Sequence, residues 1–100
     1  MLLIVFSSSP INSDHFEQGI DVALAGADLE LEIEILFEGE CAEVLSQASV
    51  DSVFVKKLSQ LQLYKMPCFC AHQLTVLPCT LLAPEKLREH FTEAHAVLVI

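Results

Sequence analysis

Residues Leu2 to Phe6 read LLIVF, apolar at every position. A strand with one wet face alternates polar and apolar side chains, so an unbroken apolar run of this length belongs to a strand covered on both faces. Helices packed above and below a parallel sheet supply that cover. The pentapeptide therefore points to a layered α/β fold, and the ending AVLVI has the same character, giving a last strand at Val97 to Ile100. A chain of 100 residues with 53% hydrophobic and 19% charged content has apolar surface for one core and not two, which makes residues 1–100 a single domain.

The remaining elements follow from period and punctuation. Ser7, Ser8, Ser9 and Pro10 form a loop. Asp14 with Glu17 three residues on has the form of a capping box, Phe16, Ile20, Ala23 and Leu24 share one helical face, and Gly26 closes that helix. From Leu29 to Phe37, apolar residues alternate with Glu30, Glu32 and Glu34, a strand whose first half keeps one face wet. Glu38-Gly39-Glu40 turns the chain into a short helix from Cys41 to Gln47, with Val44, Leu45 and Ala48 inward. A second helix at about Ser52 to Leu63 carries Phe54, Leu58 and Leu61 at helical spacing. Met66 to Cys70 is the next strand, with Pro67 tolerated near its start, and a brief helix or turn from Ala71 to Leu74 follows. Thr75 to Leu82 has strand composition, but Pro78 has no N–H to give a ladder, which assigns the segment to a sheet edge. Pro84 opens the last helix, with Leu87, Phe91 and Ala94 inward.

The sum is a three-layer α/β/α sandwich with a mainly parallel sheet of about five strands. In such a sheet the loops after the first three strands share one edge, which brings Ser7 to Ser9, Gly39 to Cys41 and Cys70 to His72 towards one another.

Composition removes several classes of function. The net charge is −9, and Lys56, Lys57, Lys65, Lys86 and Arg88 are too few and too scattered for a patch that grips a phosphate backbone, so direct nucleic-acid binding is not expected. No apolar run approaches a membrane span, and Leu2 to Phe6 is too short and lacks the basic flank of a secretory signal. The reading is a soluble, unprocessed cytoplasmic protein with reduced thiols, because a core this aliphatic needs no disulfide staples. GxSxG, GxGxxG and Walker patterns are missing, so Ser7 to Ser9 do not read as nucleophiles and no nucleotide cofactor is implied.

Chemistry is concentrated in Met66-Pro67-Cys68-Phe69-Cys70-Ala71-His72, two thiols and an imidazole within seven residues. In an extended chain Cys68 and Cys70 share a face and Phe69 takes the other. Cys70 stands where the apolar run stops, at the carboxyl end of a strand, where open α/β sheets gather reactive groups. The N-terminus of a following helix, or a protonated His72 folded back, would favour its thiolate. The competing reading is packing, since free Cys is among the most buried residue types. Cys68, deeper in the strand, and Cys79, beside Pro78, are read as core, and Cys41, with nothing basic adjoining, as structural. Cys68, Cys70, His72 and Cys79 also make a nominal zinc set, but ligands that begin inside an apolar strand lack the knuckle turn of such sites, so no metal is assigned. His15, His90 and His95 read as solvated, and the Glu30, Glu32, Glu34 row as a wet face or a docking stripe for a basic partner.

Taken together, IVFSSSP after the first residues, EGECAEVL from Glu38, KKLSQLQLY from Lys56, FCAHQL from Phe69 and AVLVI at the end resemble, in order and over nearly the whole chain, the DsrE/DsrF-like sulfur-relay family, most of all its TusC (DsrF) subunit. The resemblance implies a subunit of a cytoplasmic hetero-oligomer of three related chains, with TusB/TusD-like (DsrH/DsrE-like) partners. Such a complex passes sulfur as a cysteine persulfide to a TusE/DsrC-like acceptor, towards tRNA wobble-uridine 2-thiolation or within dissimilatory sulfur oxidation. By position it makes Cys70 the candidate persulfide carrier and His72 a support for its thiolate, a sulfurtransferase role that needs neither metal nor organic cofactor. The alternative it allows is a non-catalytic scaffold subunit of the same complex type, with inert cysteines.

Overall fold

The computed structural model describes the backbone of residues 1–100 and every side chain but that of Pro84. The elements run β1 (Leu2–Phe6), α1 (Asp14–Asp28), β2 (Ile33–Phe37), α2 (Gly39–Ser46), α3 (Val53–Leu58) continued by a 3-10 segment (Ser59–Tyr64), β3 (Cys68–Cys70), β4 (Thr80–Leu81), α4 (Pro84–Glu93) and β5 (Ala96–Val99). The five strands form one sheet in the order β4-β3-β2-β1-β5, and every pairing is parallel. The expected three-layer sandwich is what the chain builds. β1 lies central and buried, as its unbroken apolar run requires, and Pro78 precedes an edge strand of two residues.

Topology and packing explain each other. From β1 to β4 the chain steps one way across the sheet, whereas from β4 through α4 to β5 it returns past all of them. Right-handed crossovers running in opposite directions deposit their helices on opposite faces. On the first face, Ile4 and Phe6, Ile33, Ile35 and Phe37, and Cys68 and Cys70 meet α1, α2 and α3 in the main core. On the second, Leu3, Val5 and Leu36 pack with Phe69 against Leu87 and Ala94, beneath α4. The alternation expected at β3 therefore holds, with both thiols on one side and Phe69 on the other.

Several boundaries differ from the sequence reading. Ser13, not Asp14, caps α1, its hydroxyl accepting the Phe16 N–H at 3.1 Å, so the Asp14 and Glu17 capping box does not form. Gly26 lies inside α1 with Ile33 packed directly over it, and a Cβ there would clash with Ile33 Cδ1. The helix runs on to Asp28 and ends with Glu30 in the left-handed region, φ 61°, while Leu31 N–H returns to the Gly26 carbonyl. That turn consumes residues read as strand, and β2 begins only at Ile33. Leu29 is left 74% exposed, and of the acidic row only Glu34 lies on the strand.

Candidate functional site

Parallel strands send their carboxyl ends to one edge, and the registers place Phe6 level with Phe37, Phe37 with Cys70, and Cys70 with Leu81. The last residues of β1, β2 and β3 thus form a row on the main-core face, where Phe6 stacks on Phe37 at 5.6 Å between centroids and meets Phe16 edge-on at 5.3 Å. The three expected loops do converge here. Glu38 N–H donates to the Phe6 carbonyl at 3.0 Å and Cys41 N–H to the Ser7 carbonyl at 3.3 Å. Gly39 adopts φ 55°, and a Cβ on it would stand 3.2 Å from the Ser7 carbonyl oxygen, so the approach of the two loops suits glycine. His72 borders a depression of about 540 Å³ against Glu40, Glu43, Val44, Ser46 and Gln47 of the α2 region, and Cys70 is not among its walls.

Cys70 is 0% exposed. Strand-end reasoning anticipates a thiol at the rim, but the two phenylalanines extend the core to that edge, and Leu77 of the segment after β3 joins the same cluster. No helix follows β3, because residues 71–79 run as bends without regular structure, so the expected dipole of a following helix is not there to support the thiolate. Support comes instead from the backbone: the His72 N–H donates to Cys70 Sγ at 3.4 Å, joined by the Ala71 N–H. Burial pushes the Cys70 thiol above its ordinary value, and these two amides oppose that without overcoming it. His72 thus assists through its main chain while its ring is exposed.

The other thiols divide into two kinds. Cys41, fully enclosed under α2, has its pKa pushed up to about 12, first by burial and then by the neighbouring Cys70. The Cys68 S–H donates to the Met66 carbonyl at 3.5 Å, and Cys79 packs against the core cluster to which Cys68 belongs. The Cys79 S–H favours the Cys68 thiolate and lowers its pKa against the effect of burial, while Cys79 is itself held protonated. Cys79, read from sequence as core, is half-buried and the most accessible of the four. Among the described residues, no group of three or more His, Cys, Asp or Glu side chains is arranged to hold a metal ion.

His90 is a further correction. It does not stand in solvent but sits between α4 and the sheet, its Nδ1 3.3 Å from Glu34 Oε2. Its place three residues after Leu87 on the inward stripe of α4 was the available signal.

These features define a class: a parallel α/β sandwich of the three-layer type whose chemistry-bearing groups are thiols at and beside the end of β3. No protein-family model matches the chain, and no curated protein matches it by sequence. Among solved structures it is similar to the ychN protein from E. coli, at 14% identity and a TM-score of 0.77, over 99% of this chain and 97% of that one. At that identity the likeness is one of fold, the parallel three-layer α/β/α sandwich. Among the described residues, no helix is long and apolar enough to cross a membrane.

Proposed function

We propose that this chain is a subunit of a sulfur-relay assembly of the DsrE/DsrF-like type and that its part there is to bind partner subunits, not to carry the sulfur. The observation that carries this reading is the state of Cys70. A persulfide carrier attacks its donor as an exposed thiolate, whereas this thiol is enclosed and biased towards its protonated form. The surface supports the same reading. Every residue of β5 is exposed, Val99 at 61%, and Ala96 to Val99 form an uncharged edge strand with its outer ladder unpaired, the kind of edge that proteins cover. The partners proposed are TusB/TusD-like chains and, through them, a TusE/DsrC-like acceptor in the cytoplasm, with tRNA thiolation and sulfur oxidation as the two pathways.

One observation favours the second reading, in which Cys70 carries the sulfur. Its sulfur already accepts the His72 N–H, with the Ala71 amide also favouring the anion, and these would serve a persulfide anion if residues 71–79 moved aside. Co-expression with two homologous subunits, followed by mass spectrometry after incubation with a sulfane-sulfur donor, separates the two. The subunit reading expects a hetero-oligomer that survives Cys70→Ser and no added mass on Cys70. A gain of about 32 Da on Cys70, lost in Cys70→Ser, establishes the carrier reading instead. A chain that stays monomeric beside both homologues and takes up no sulfur removes both.

A further inference from the structure

The pairing of β3 with β4 sets Phe69 opposite Thr80 and Cys70 opposite Leu81. Continued one residue back, to the first residue of β3 and the residue just before β4, that register sets Cys68 opposite Cys79. Partners in register point to the same side, and both thiols pack in the main core cluster. Neighbouring strands lie about 4.8 Å apart, within the roughly 4.4–6.8 Å between Cα atoms that a disulfide spans. We propose that Cys68 and Cys79 are a redox pair, a dithiol that a hydroperoxide converts to a cross-strand disulfide.

The roles of the two sulfurs differ. Cys68, 8% exposed, is the thiol that its neighbour's S–H predisposes to ionise, and hydrogen peroxide is small enough to reach it. Cys68–SH and H2O2 give Cys68–SOH and water. The Cys79 thiol then attacks that sulfur, the S–O bond breaks as the S–S bond forms, and the departing hydroxide takes the Cys79 proton to leave as a second water. Two electrons pass from the dithiol to the peroxide in total. Cys70 and Cys41 lack this arrangement: Cys41 is fully enclosed and held protonated to about pH 12, and Cys70 takes its hydrogen bonds from backbone amides.

The bond would have a structural effect. β4 has only two residues, and the segment between the strands, residues 71–79, is the one that follows Cys70 without regular structure. A Cys68–Cys79 link staples that segment and the edge strand to β3. The inference is independent of whether Cys70 carries sulfur.

The test is treatment of the reduced chain with equimolar hydrogen peroxide, followed by alkylation in denaturant and peptide mapping. The expected result is a fall from four free thiols to two, a mass lower by about 2 Da, and a linked pair of peptides containing Cys68 and Cys79. Dithiothreitol should restore the four thiols, and the oxidised form should melt roughly 10 °C higher. Cys79→Ser changes a half-buried residue and should stop the reaction at sulfenic acid on Cys68, trapped by dimedone. A Cys41→Ala, Cys70→Ser chain should still form the bond. Four thiols surviving, a link to Cys41 or Cys70, or over-oxidation of either sulfur without a link overturns the proposal.

Discussion

The imidazole of His90 rests on the ring of Phe69, with centroids 4.3 Å apart and planes tilted by 42°. Phe69 is the one residue of β3 that faces away from the main core, and α4 covers that face through Leu87 and Ala94. His90 lies between those two on the helix, so its ring fills the middle of a narrow seam. His90→Ala should cost about 1–2 kcal/mol of stability by loss of ring contact. Arg88→Ala, on the exposed side, should change it by less than about 0.5 kcal/mol. Urea unfolding of both variants, with hydrogen exchange along α4, checks this; equal midpoints for the two would mean that the stacking does not hold the helix.

Gly19 packs α1 closely against the end of β1 and the C-terminal residue. A Cβ there would meet Phe6 Cε1 at 2.7 Å and Ile100 Cγ1 at 2.9 Å, and the Phe6 ring is itself fixed between Phe16 and Phe37. A ring held on two sides cannot swing away cheaply, so Gly19→Ala should destabilise by about 1–3 kcal/mol despite the better helix propensity of alanine. Gln18→Ala, at the neighbouring exposed position, serves as the control. A Gly19→Ala chain as stable as that control would show that α1 can lift from β1 without loss.

The sheet was legible because each buried strand announces itself. LLIVF is apolar at every position, IEILF runs into the Glu38-Gly39 turn, and CFC follows Pro67. The site was harder to read for a definite reason. A strand-end rule locates Cys70 along the chain but carries no information about its lateral neighbours, and those neighbours, Phe37 and Cys41, are what enclose it. The Cys68 and Cys79 pairing was hidden in the same way, since the register of a two-residue parallel edge strand is set by tertiary packing. His90 shows the opposite failure, a readable helical stripe passed over because histidine is usually wet.

Glu30 occupies the left-handed position that ends α1, φ 61°, with its N–H on the Ala27 carbonyl at 2.9 Å and the next N–H on the Gly26 carbonyl at 3.0 Å. Helix ends of this form favour glycine, since a Cβ crowds the backbone there by about 1–2 kcal/mol. Part of that gain is offset because glycine also loosens the unfolded chain. Glu30→Gly should therefore stabilise by about 0.5–1 kcal/mol, raising the melting temperature by roughly 3–6 °C. Glu30→Ala keeps the Cβ and should gain nothing, so a calorimetric scan of both variants separates backbone relief from loss of the carboxylate. Equal melting points would count against the strained turn.

Cys41 makes the fold sensitive to alkali. Its thiol has an ordinary pKa of 9.0 and one of about 12 in the folded chain, because burial and the adjacent Cys70 penalise the thiolate. Below pH 9 both states are protonated and the thiol sets no pH dependence. Between pH 9 and 12 the unfolded chain releases the proton and the folded chain retains it, so the unfolded state binds fewer protons and stability falls as pH rises. The slope is about 1.4 kcal/mol per pH unit for this one group. Alkali acts on the whole chain, so the informative quantity is a difference. The stability gap between the wild-type chain and Cys41→Ala, measured by urea unfolding, should be constant from pH 6 to 8 and narrow by about that slope between pH 9 and 11. A gap that stays constant through pH 11 would mean that the Cys41 thiolate is tolerated inside the fold, and alkylation of Cys41 in the native chain at pH 8 would then be expected to proceed without prior unfolding.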